Sequence, residues 1–171
     1  QTQILDRFYK FIHSDPKSQV FLGKDAKDTD RIDLVMFDSK PKKRRDSLIL
    51  KLLHKPENVA EDIFDRVGIR FVAKTKFDTL RIVRFLRDHY VMMPANIKPS
   101  RSRNTLIDIK ALVLEVEKLK QETETKSLTT AELAAHLDKI LANPFTPERD
   151  DPNPHSSKHF RSLQFTCRQL I

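Results

Sequence analysis

The sequence predicts an α/β or α+β domain in which helices lie on a few strands and a strand stands near the C-terminal end. Two observations carry this reading. Apolar residues recur at helical spacing in several stretches, and between them lie strand-like runs at 31–37, 67–73 and 160–171. At 171 residues the chain is long enough for one domain with its own core, without disulfides or metals.

Taken in order, residues 3–13 carry Leu5, Phe8, Phe11 and Ile12 at helical spacing, and Asp15-Pro16 closes that element. Residues 15–30 are polar, and Arg31 to Phe37 reads as a strand. A helix is expected from Asp46 or Ser47 to His54, stopped by Pro56, with a short one near Asn58 to Phe64. The strand Val67 to Ala73 follows, with Ile69, Phe71 and Ala73 on one side and Arg70 and Val72 on the other. Thr75 and Asp78 resemble a capping box before a helix striped by Phe77, Leu80, Val83 and Leu86. Ile109, Leu112, Val113, Val116 and Leu119 mark a further helix, and the Thr129 to Glu132 capping box opens another that runs to about Ala142. The proline-rich stretch from Asn143 to Ser157 is a loop, and Phe160 to Ile171 reads as a strand.

Composition removes several functions. Only Gly23 and Gly68 occur, which excludes a Walker loop and a Gly-x-Gly-x-x-Gly dinucleotide turn, so any phosphate site must use side chains. The six histidines show no His-Glu-x-x-His spacing, and no Gly-x-Ser-x-Gly elbow is present. A single cysteine, Cys167, rules out an internal disulfide and is expected to be buried and inert. No run approaches the roughly 18 apolar residues of a membrane span, and a cytoplasmic setting is expected. The net charge of +8 favours polyanionic partners: nucleotides, RNA or another nucleic acid, or anionic lipid. Its excess falls in two clusters, Lys40, Lys42, Lys43, Arg44 and Arg45, then Lys98, Arg101 and Arg103, which suits a cleft better than a tail.

The chemistry concentrates between Lys43 and Arg70. Lys43, Ser47 and Lys51 are spaced to stack along one helix face, and Asp65 leads into an apolar strand. Two cations, a hydroxyl and a carboxylate suit a phosphate and its metal. This order resembles the RelA/SpoT synthetases, which transfer pyrophosphate from ATP to a guanine nucleotide. They carry a Lys-x-x-x-Ser-x-x-x-Lys-Leu/Met helix followed by an Asp-hydrophobic-hydrophobic-Gly-Ile/Leu-Arg strand. Here these correspond to Lys43, Ser47, Lys51 and Leu52, then Asp65, Arg66, Val67, Gly68, Ile69 and Arg70, with Arg66 departing from the apolar type. The family's Gly-Tyr-x-Ser-Leu-His strand is similar to His159-Phe160-Arg161-Ser162-Leu163-Gln164, where Phe replaces the stacking Tyr and Gln replaces the His. Residues 97–106 are similar to the family's basic segment.

The resemblance implies a single nucleotidyltransferase-like domain over 1–171, a mixed β-sheet flanked by helices, with a helical-pair insertion at about 105–142. It implies that Val67–Ala73 and Phe160–Cys167 are neighbouring strands with the Ser47 helix beside them. Asp65 and Arg70 become the catalytic residues, Asp65 holding Mg²⁺. Lys43, Ser47, Lys51, Arg101, Arg103, Phe160 and Gln164 become the substrate and nucleotide contacts, with ATP as donor. The family's second carboxylate, in a Glu-x-Gln-Ile-Arg strand, has no counterpart before Ile171, so the resemblance implies either a further strand or its loss. Without the resemblance, Lys43 and Lys51 also describe a solvated helix face, Asp65 a partner of Arg66 or Arg70, and Phe160 a core ring. Three functions remain open: a pyrophosphotransferase, a nucleotide- or RNA-binding domain of the same fold without catalysis, or a basic nucleic-acid module of unrelated fold.

Overall fold

The protein is seen in a computed structural model that describes residues 2–40, 67–123, 130–142 and 161–168. The described elements run α1 (Thr2–Tyr9), β1 (Ile12–Ser14), β2 (Val20–Leu22), β3 (Ile32–Lys40), β4 (Gly68–Ala73), α2 (Lys76–Asp88), a 3₁₀ turn (Pro94–Asn96), β5 (Ile97–Asn104), α3 (Ile109–Thr123), α4 (Thr130–Ala142) and β6 (Leu163–Cys167). The α+β class is as the sequence predicts.

The sheet differs from the expectation in two ways. All described pairings are antiparallel rather than mixed, and they form two ladders, β1-β2-β3-β4 and β5-β6. Short connections explain the first point for β1 to β3, because neighbours joined by a few residues pair antiparallel. The second is a correction: among the described residues, Val67–Ala73 and the run from 161 to 167 are not neighbouring strands. β6 pairs with β5, a strand that the basic segment concealed, because Pro99 and its charges obscure the alternation of a strand.

Other boundaries shift for local reasons. The first helix stops at Tyr9, and Ile12 belongs to a strand that pairs with β2 through the Asp15-Pro16 turn. Asp15 Oδ1 accepts from the backbone N–H groups of Lys17 and Gln19, and Ser18 takes φ 59°, which together reverse the chain. β2 sits inside the polar 15–30 segment, yet it supplies Phe21 and Leu22, both fully buried. The sheet's inner face joins Leu22, Ile32 and Leu34 to Ile82 and Leu86 of α2, Phe11 after α1, and Val91 and Met92 after α2. A β-bulge between Leu34 and Met36 keeps Phe37 on that face, where its ring meets Phe71 at 5.2 Å, and Phe71 in turn meets Phe8 of α1 at 6.4 Å. Phe165 and Cys167 of β6 pack on the same core, so the two ladders share one hydrophobic centre.

Helix α2 forms where its cap predicts. Thr75 Oγ1 accepts from the Asp78 backbone N–H at 3.0 Å, and Ile82 and Leu86 bury its apolar stripe. α4 packs against α2 and α3. The helical pair expected at 105–142 is thus present as α3 and α4, while the helices expected near Ser47 and Asn58 lie outside the described residues.

Candidate functional site

β5 departs from a regular strand where its cations cluster. From Lys98 to Arg103 its register on β6 advances only from Thr166 to Gln164, so the residues between bulge out of the ladder. Pro99 has no N–H to donate, and Ser102 Oγ closes the bulge by donating to the Lys98 carbonyl at 3.0 Å. Regular pairing then resumes, with Arg103 opposite Gln164 and Asn104 opposite Leu163.

Polar side chains fix this end of the ladder. Buried Thr105 donates its backbone N–H to the Ser162 carbonyl at 2.9 Å, while its Oγ1 accepts from the Ser162 N–H at 3.0 Å. Asn104 Oδ1 accepts from the Leu106 and Ile107 N–H groups, and its Nδ2 donates to the Ile107 carbonyl at 2.7 Å. Gln164 Nε2 donates to Ser162 Oγ at 2.9 Å, which orients the amide. Each bond removes a freedom from a side chain beside the opening, so Arg103 and Gln164 are displayed from a held backbone.

They border a groove of about 360 Å³ whose lining combines Ser102, Arg103, Asn104 and Gln164 with apolar Met92 and Phe165. Arg103 and Gln164 are exposed, while Met92 is buried, so the charge lies at the mouth and the apolar surface beneath. The surface the groove offers is almost wholly apolar, from Val83, Met92, Ile97, Leu163 and Phe165, and such a groove accepts a flat apolar ring. Two residues read from the sequence as nucleotide contacts are therefore brought together directly. Thr105, Asn104 and the Ser162 backbone, which hold them there, were not singled out; the Asn-Thr pair ahead of a helix is the turn signal that marks them.

The remaining expected residues are distributed elsewhere. Arg101 is half-buried on the bulge and does not line the groove. Arg70 is exposed on β4, on the face opposite the Phe71 cluster, and stands across from Asp38 of β3. No hydrogen bond or ion pair ties it to another described residue. Lys43, Ser47, Lys51, Asp65 and Phe160 lie outside the described residues. The strands that flank their segment pair up to its ends, with Lys40 opposite Gly68.

Among the described residues, no group of three or more His, Cys, Asp or Glu side chains converges to hold a metal. Asp65, the residue expected to hold Mg²⁺, lies outside the described residues. No helix among the described residues is long and apolar enough to cross a membrane. Cys167 is half-buried, with burial pushing its thiol up in pKa and its Sγ donating to the Met93 carbonyl at 3.7 Å. The sequence context predicts full burial, and the half-exposed thiol corrects that; a protonated thiol is a poor nucleophile.

No family model matches the chain, and no curated protein or solved structure matches it.

Proposed function

We propose that the protein is a nucleotide pyrophosphotransferase of RelA/SpoT-like type, acting from ATP onto a guanine nucleotide or another hydroxyl acceptor. The observation that carries the nucleotide half of this reading is the groove at which Arg103 and Gln164 meet. The acceptor's base lies on Met92 and Phe165, and Arg103 takes a phosphate oxygen. The donor half rests on the order Lys43, Ser47, Lys51, Asp65, Arg70, a segment whose two flanking strands are paired at its ends. In the reaction the acceptor hydroxyl oxygen bonds to the β-phosphorus of ATP, the bond from that phosphorus to the bridging oxygen of AMP breaks, and the hydroxyl proton passes to solvent. Lys43 and Lys51 neutralise the donor phosphates, and Mg²⁺ accompanies the ATP. The protein's contribution is mainly position and charge.

The separation of β4 from β6 favours a second reading. Arg70 and Gln164 belong to different ladders, and a domain that only binds nucleotide or RNA needs the groove alone. Transfer of label separates the two. Full-length protein is incubated with ATP labelled in the β- and γ-phosphates, Mg²⁺, and GDP, GTP or uncharged tRNA. The transferase reading expects label on an acceptor, abolished by Asp65→Asn with unfolding unchanged. Binding without transfer to any acceptor assigns the binding role.

A further inference from the structure

The turn after α2 builds a second concavity, apart from the groove. Tyr90 adopts φ 56°, the left-handed conformation in which a Cβ is penalised and which helix ends usually give to Gly or Asn. The backbone there is over-determined: the N–H groups of Val91 and Met92 both donate to the Leu86 carbonyl, at 2.9 and 3.0 Å, and the Tyr90 N–H donates to the Arg87 carbonyl. The strained position nevertheless displays a large ring, 76% exposed, whose side chain makes no hydrogen bond or ring contact with another described residue. An aromatic ring held out on strained backbone points to a use for the ring.

Tyr90 borders a cavity of about 220 Å³, lined also by Arg7, Lys10, Phe11, His89 and Val91. His89 stacks on Phe85 at 4.0 Å between centroids, and its Nδ1–H donates to the Phe85 carbonyl at 2.9 Å, so the imidazole is fixed in place. The Lys10 ammonium lies 4.7 Å from the Phe11 ring centroid. Helix ends attract cations, which accounts in part for Arg7 and Lys10. It does not account for Tyr90. Of the acids nearby, Asp88 pairs with Arg84 and Arg87, and Asp28 accepts from the backbone N–H groups of Lys24 and Asp30. The cavity is walled by two permanent cations and an exposed aromatic ring.

We propose that this cavity is a binding site for a nucleoside monophosphate, with the phosphate on Arg7 and Lys10 and the base stacked on Tyr90. It shares no residue with the groove, so it stands or falls separately from the proposed transfer. The same turn walls both, Val91 facing this cavity and Met92 the groove.

Titration calorimetry at low salt with AMP, GMP, inorganic phosphate and a short single-stranded RNA tests it. A mononucleotide is expected to bind at least about tenfold more tightly than phosphate alone. The Arg7→Gln/Lys10→Gln variant should lose at least about tenfold in affinity, and Arg103→Ala should retain this binding. Tyr90→Gly is expected to raise the thermal midpoint, because Gly accepts this backbone freely, while weakening the mononucleotide at least about tenfold. A tyrosine with a purely structural role would not give stability and take binding together. The proposal is overturned if no mononucleotide binds, if RNA binds and mononucleotides do not, or if these variants bind as the wild type does.

Discussion

The two ladders of this protein are held together differently. In β3-β4 the register runs from Leu34 opposite Ala73 to Lys40 opposite Gly68 with a one-residue bulge after Leu34, and rings from three elements, Phe8, Phe37 and Phe71, cover one face. In β5-β6 the register breaks between Lys98 and Arg103, and the ladder is secured by polar clamps from Asn104, Thr105 and Ser162. Burial fixes the first and hydrogen bonds fix the second. A hydrophobic face specifies register but leaves little room for a ligand. A bulge opens space, and the clamps limit the freedom of what lines it.

The largest effect should come from the burial-held part. Phe21 is wholly buried in β2, and Phe21→Ala is expected to lower unfolding free energy by about 3–5 kcal/mol through lost contact and a residual cavity. Urea denaturation measures it. Phe21 meets His13 and Arg31 outside the core the ladders share, so binding at the groove should weaken only as the folded fraction falls. A loss under about 1 kcal/mol would show that β1-β2 is peripheral to the core.

The clamp-held ladder should respond locally. Thr105→Val keeps the shape but leaves the Ser162 N–H without its Oγ1 acceptor, at a cost of about 1–3 kcal/mol. Hydrogen exchange should speed at β5 and β6 amides more than at β3 and β4. Equal acceleration in both ladders would contradict the division between them.

Much of the burial-held region was legible in the sequence, and the reasons are local. The Thr75 cap and an apolar stripe from Phe77 to Leu86 specify α2 without distant partners, though buried Ile82 was not among the residues read, and alternation marks β3 and β4. The three-residue strands β1 and β2 were not legible, since a run this short in a polar segment has no period to read. β5 was hidden by Pro99 and its charges. At the site, Arg103 and Gln164 were legible as residue types, but their meeting was not, because pairing across the two intervening helices is non-local. The expectation that β4 and β6 are neighbours, which the described residues do not bear out, failed for the same reason. Lys43, Ser47, Lys51, Asp65 and Phe160 lie outside the described residues, so nothing is seen of where they sit.

The smallest effect is electrostatic. A hydrogen bond from Lys74 Nζ at 2.9 Å is the main cause holding Asp33 below the usual carboxylate range, helped by the charges of Lys74 and Arg31 and opposed by partial burial. Since the folded pKa is depressed, this contribution is present above the unfolded value, about 4, and is lost as pH falls through the folded one. Both side chains are partly solvated, so Lys74→Met should cost only about 0.2–1 kcal/mol near neutral pH. The difference from wild type should shrink below about pH 4 and in high salt. A difference that persists in acid would mean that the lysine stem, and not its charge, stabilises the sheet.

The central claim is that the break in the β5-β6 register makes a nucleotide site. Calorimetric titration of GDP into wild type, Arg103→Ala, Gln164→Ala and the double variant tests it most directly. Each single variant should weaken GDP by about tenfold, or about 1.4 kcal/mol, with urea midpoints unchanged. The double variant should lose less than the sum, because the two residues face each other across one ladder and share one ligand. GDP affinity equal in all four proteins would contradict the claim.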